Sequence, residues 1–174
     1  PLSFTNTSPT ANGRLSPTFS FGNSQPNITS RRYVMNVSMK LLTGGWILQS
    51  ANFEFEDGEI IEIYGPNPMG AVVFGEQGRM IAILTANNRP ATGDDDSRAE
   101  LFNTMLAYSG KFKLSGDTFT TTVDISWVTE WLGTEQLRYV HLDGDILSLR
   151  TPVHEHPRHP GRRGFGDLRW RREK

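Results

Sequence analysis

Cysteine is absent from all 174 residues, which excludes disulfides, thiol nucleophiles and Cys-ligated zinc and leaves the redox compartment open. Long apolar runs are missing too. Nothing approaches the ~18 consecutive apolar residues of a spanning helix, and no apolar signal-peptide core is visible, so a soluble, cytoplasmic protein with no membrane span is expected. Neither sign of charge dominates: 18 Lys and Arg against 19 Asp and Glu leave a formal net charge of −1, too little to steer the chain onto nucleic acid. The G-x-S-x-G elbow, the P-loop and the dinucleotide glycine fingerprint are also lacking, which weakens hydrolysis, phosphoryl transfer and nicotinamide chemistry and implies no cofactor.

Residues 1 to about 40 lack acids altogether while carrying Arg14, Arg31, Arg32 and Lys40 among abundant Ser, Thr, Asn, Pro and Gly. Such a stretch cannot bury a core. It reads either as a targeting leader or as a disordered extension, with Met35 as an alternative start, and the folded domain is expected over 41–174. The sequons at Asn6, Asn27 and Asn36 would matter only in a secreted chain.

What is present from Leu41 onward is a series of short runs rich in Val, Ile, Thr, Phe and Tyr, broken by Gly, Asp and Asn every ~8 to 12 residues. The pattern predicts strands near 45–55, 59–64, 70–75, 78–85, 108–114, 117–126, 134–142, 145–151 and 165–172. Asp57-Gly58, Gly75 to Gly78, Ser115-Gly116-Asp117 and Asp143-Gly144-Asp145 supply the residues that tight hairpins require. The expected fold is therefore an all-β antiparallel meander. One segment, "DDDSRAELFNTMLAY", departs from it: Ser97 and Glu100 stand at capping-box spacing and Leu101/Met105 and Phe102/Leu106 at i, i+4, which predicts a single short helix. The three aspartates are accounted for by capping and solvation rather than by a cation, since no calcium-loop glycine or distant bidentate Glu accompanies them.

Two other clusters have plain readings. "HEHPRH" (154–159) gathers His154, His156 and His159, but Pro157 and Pro160 make it a loop and no metal is implied. Arg162, Arg163, Arg169, Arg171 and Arg172 near the C-terminus alternate with Leu168 and Trp170 as a strand with charges outside and an apolar face inside would.

Gly45-Trp46, "IYGPNPMGAVVFGEQGRM" (63–80), "AYSGKFKLSGDT" (107–118), "WLGTEQLRYVHLDGDILSLRTP" (131–152) and "LRWRRE" (168–173), in this order, resemble the bacterial and fungal lipocalin-like domain family. The resemblance implies a single up-and-down β-barrel of the calycin type, of about 8–10 strands, whose G-x-W tryptophan closes one end against a basic residue of a late strand. Arg171 or Arg138 would supply that residue, stacked on the indole. It also implies a cavity for a small apolar or aromatic molecule; the oligomeric state stays open, a dimer included.

Alternation along the strands leaves two readings of which faces look inward. If the mixed faces do, Ser50, Asn52, Thr122, Asp124, Gln136 and Arg138 bring polar groups among apolar walls. If they look outward they are ordinary solvent positions. Candidate ligand-binding residues are Trp46, Ser50, Asn52, Tyr64, Thr122, Trp127, Trp131 and Gln136. Trp127 and Trp131 flank a bend where a barrel has its rim, and either cover a ligand or seal a core. The alternative function is a cofactor-independent isomerase or cyclase of natural-product biosynthesis, with Asp124 or Tyr108 as acid/base and Arg138, partnered by Asp124, stabilising negative charge. Members of the family often carry histidine where this chain has Thr121-Thr122, which removes the natural proton shuttle and favours binding.

Overall fold

Residues 37–174 are described by the computed structural model of the protein. The chain runs through α1 (Met39–Leu42), β1 (Gly44–Phe55), β2 (Ile60–Glu62), β3 (Met69–Phe74), β4 (Arg79–Thr85), α2 (Asp95–Asn103), β5 (Met105–Ser115), β6 (Thr118–Ser126), a 3-10 turn (Thr129–Trp131), β7 (Glu135–Asp143), β8 (Ile146–Arg150), β9 (His154–Glu155) and β10 (Arg163–Arg172). Sequential strands pair as neighbours, and β1 also pairs with β10, which closes eight strands into a barrel; β2 adds to β1 and β9 to β10. The meander follows from the turn chemistry. Gly116 and Gly144 hold φ of 60° and 56° in two of the hairpins, where a side chain would be strained. Among the described residues no helix is long and apolar enough to cross a membrane.

Two β-bulges set the barrel's curvature. In β1 the pairing with β10 slips between Leu48 and Ser50, and between β5 and β6 it slips next to Gly110, opposite Asp124. An extra residue on one strand bends it and reverses which residues face in. Trp46 and Leu48 therefore point inward before the first bulge, and Ala51, Phe53 and Phe55 after it. At the second bulge a Cβ on Gly110 would run into the Thr122 carbonyl, so the close approach requires glycine.

One end of the barrel is solid. Phe74, Phe112 and Phe119 meet edge to face at 5.3–5.9 Å, and Trp46, Leu147 and Trp170 are at most 1% exposed. Leu42 of α1 seals it, fully buried, with its carbonyl accepting a 2.8 Å hydrogen bond from Trp46 Nε1. The basic partner of the tryptophan is Arg172 rather than Arg171 or Arg138: its guanidinium lies 4.1 Å from the indole centroid and donates to the carbonyls of Leu41 and Thr43. Arg171 is exposed, paired with Ile47 and Ile146 on the outer face.

The helix begins one turn earlier than the capping box predicts. Asp94, not Ser97, is the N-cap, accepting from the Ser97 amide at 2.9 Å, and Met105 and Leu106 belong to β5.

Candidate ligand-binding site

Away from α1 the inward face is mixed, with half-buried residues among buried Leu84, Tyr108, Thr121 and Val123. Cross-strand pairs share a face, so the registers Leu84 with Leu106, Ala82 with Tyr108, Phe112 with Thr121, Thr121 with Gln136 and Phe119 with Arg138 trace one inner wall over β4–β7. Leu106, Gln136 and Arg138 on this wall are half-buried. Leu168 on β10, paired with buried Ala51 and Leu149, is likewise packed on the core but half-exposed, as are Ile63, Tyr64 and Trp131.

A polar row crosses this wall. Thr134 Oγ1 accepts from Gln136 Nε2 at 3.0 Å, and Gln136 Oε1 accepts from Arg138 at 3.5 Å. The Arg138 guanidinium also donates to its neighbour's carbonyl on Leu137, at 2.7 Å. Among the described residues no carboxylate forms a salt bridge with Arg138. Beside Gln136, Thr121 is fully buried, and its hydroxyl has no hydrogen-bond partner, nor has the indole N–H of Trp170. Buried polar groups without partners are rare in finished cores.

The mouth is bordered by three segments. Trp131 of the 3-10 turn packs edge to face on Tyr108 at 5.3 Å. Tyr64, in the loop after β2, lies where burial pushes its phenol up to about 12, opposed by the charge of Arg158, so it stays protonated. A strap from 152 to 162 lies over Phe53 and Phe55, with His154 and His156 at 5.3 and 4.6 Å from the Phe53 ring. Arg162 clamps the strap, stacked 3.7 Å from the Phe55 centroid and bridging Asp57 and Glu59. His156 Nδ1 accepts from the Arg158 amide at 3.1 Å. Burial, and then the positive charges of His159, His154, Arg158 and Arg162, hold its pKa below the usual 6.5. Among the described residues no group of three His, Asp or Glu side chains is placed to hold a metal.

Gln136, Arg138, Tyr108, Trp131 and Tyr64 thus lie at this end of the barrel, and the remaining candidates do not. Asp124 is outside: Arg79 grips its carboxylate with two bonds of 2.9 and 2.5 Å, and that hydrogen-bonded guanidinium holds the carboxyl below its usual range. The expected Asp124–Arg138 pair is therefore not formed. Thr122 is on the same outer face, exposed. Ser50 and Asn52 face outward because the β1 bulge reverses the alternation after Leu48. Trp46 plugs the solid end. Trp127 is also outside, stacked on Phe102 at 5.1 Å with its indole N–H donating to the Phe102 carbonyl, so it pins α2 to the barrel wall.

Some residues escaped the sequence reading. Thr121 alternates with Phe119 and Val123, which does mark it as inward; Leu106, whose i, i+4 spacing from Phe102 predicts a helix, is a strand residue of the wall. Phe53, Phe55 and the strap histidines form a contact between segments a hundred residues apart, which spacing cannot show.

The sequence profile of the lipocalin-like domain matches residues 43–173. A curated relative, the 4'-hydroxy-3'-methoxypropiophenone carrier protein of Aspergillus oryzae, is 37% identical over 68 residues, 34% of this chain and 61% of its own length. The chain thus spans under two thirds of that relative. Among solved structures, an uncharacterized protein from Bacteroides eggerthii is similar with a TM-score of 0.39 at 14% identity, covering 76% of this chain and 99% of its own.

Proposed function

This chain belongs to the lipocalin-like domain family, and on that premise we propose that it binds a small, mostly apolar organic molecule in the open half of its barrel. One observation carries the proposal. The inner wall passes from side chains at most 1% exposed at the α1 end, such as Trp46, Phe74 and Leu147, to a stretch where half-buried Leu106, Gln136, Arg138, Leu168 and Trp131 stand among buried Tyr108 and Thr121. Apolar walls with a few convergent polar groups are the chemistry of small-molecule sites. The Aspergillus relative is named as a carrier of an aromatic ketone, and Tyr108 and Trp131 suit the faces of such a ring.

Binding fits the geometry better than catalysis. An isomerase or cyclase needs an acid or base beside Arg138; of the two considered, Asp124 is held on the outer surface by Arg79, which leaves the Tyr108 phenol on the inner wall without the carboxylate. Native mass spectrometry of the freshly purified protein tests the proposal. A retained organic molecule, lost on Trp131→Ala and Leu168→Arg, is the expected result; retention that ignores both substitutions would place the molecule elsewhere and refute the site.

A further inference from the structure

Resting on that reading, the site can be taken one step further, to the chemical class of its ligand. Arg138 faces the barrel interior because it pairs with Phe119, which is fully buried, while its neighbours Leu137 and Tyr139 pair with Thr120 and Thr118 on the other face. A guanidinium is always charged, and an inward-facing cation is costly unless an anion or several acceptors meet it. Here the acceptors are one backbone carbonyl and, at 3.5 Å, one amide oxygen. Four other arginines of the barrel are better provided: Arg79 has Asp124, Arg150 has Asp167, Arg162 has Asp57 and Glu59, and Arg172 has Asp145 with two carbonyls and an indole, while Arg163 and Arg171 are exposed to water.

Alongside stands the Thr121 hydroxyl, fully buried and unpartnered, on the residue that pairs directly with Gln136. A hydroxyl at this position can donate to an acceptor held by the guanidinium. We infer that the ligand carries an anionic oxygen group, a carboxylate or an ionised phenol or enol, that docks on Arg138 with Gln136 and Thr121 beside it, its apolar body lying toward Tyr108, Leu168 and Trp131. A planar fork of donors recognises such oxygens with two bonds at once.

The test is a matched pair of probes differing only in charge, 2-naphthoate and its neutral methyl ester, titrated calorimetrically into the full chain. The wild type should bind the carboxylate at least about tenfold more tightly than the ester, the scale of a charge-assisted hydrogen bond. Arg138→Met should erase that preference by weakening the carboxylate far more than the ester, and Arg138→Lys should restore part of it. If both probes bind the wild type equally, or if Arg138→Met keeps the preference, the anion assignment is wrong and the barrel still binds neutral guests. If neither probe binds the wild type, the binding reading itself fails and the inference with it. The wild-type ratio alone decides the matter should Arg138→Met not fold.

Discussion

At the scale of single residues, one arginine is given over to closing the barrel. Arg172 is a structural arginine, its stem and guanidinium closing the solid end over Trp46 and tying the last strand to the carbonyls of the first helix. Arg172→Ala removes one cation–π contact and two hydrogen bonds, and should cost about 1–3 kcal/mol in denaturant unfolding. Arg172→Lys should fall between, because an ammonium keeps the charge and loses the planar stack; equal stability of all three proteins would show that the stack contributes nothing. That a tryptophan of the first strand should meet a late basic residue is what the resemblance to the lipocalin-like family implies. Which arginine it is was not legible, since one step along a strand moves a side chain to the opposite face, and only the register of β1 on β10 places Arg172 over the indole.

At the scale of elements, the hairpins were legible and the bulges were not. Asp-Gly and Gly-Asp turns carry their geometry in their own residues. A bulge is a relation between two strands: the slip at Leu48/Ser50 sends Ser50 and Asn52 out, and the slip beside Gly110 leaves Asp124 to Arg79. The apolar phase of β1 does shift, from Trp46 and Leu48 to Ala51, Phe53 and Phe55, and the mixed faces of the alternation were the trace of that shift. The strap of 152–162 is a second long-range element, and through His156 its stability should depend on pH. His156 has a folded pKa below its unfolded value near 6.5, so the unfolded chain binds the proton better. The stability that the neutral ring contributes is intact above that value and is lost as pH falls from it through the folded pKa. Thermal melts should therefore show a larger decline from about pH 7 to about pH 5 in the wild type than in His156→Gln; parallel declines would mean that the imidazole is not what couples the strap to pH.

At the scale of the whole molecule, the eight-stranded closure divides the interior in two. The end under α1 is filled by Trp46, Phe74, Phe112, Phe119 and Trp170, and next to that filling the inner wall carries a cation and an unpaired hydroxyl, on the partners of Phe119 and Phe112, with an amide beside them toward the tyrosine and tryptophan rings of the mouth. The meander was readable because order and turns along the chain specify it, and its closure into a barrel is what the resemblance to the lipocalin-like family implies. The position of the site within it follows from which half the helix and the aromatics fill, a matter of packing between distant strands. The central claim, that a guest occupies the half opposite α1, is tested most directly by methyl NMR with methyl 2-naphthoate. Intermolecular NOEs to the Leu106 and Leu168 methyls are the predicted result. NOEs confined to Ile81, Ile83 and Ile125, which stand exposed on the outer face, would contradict it.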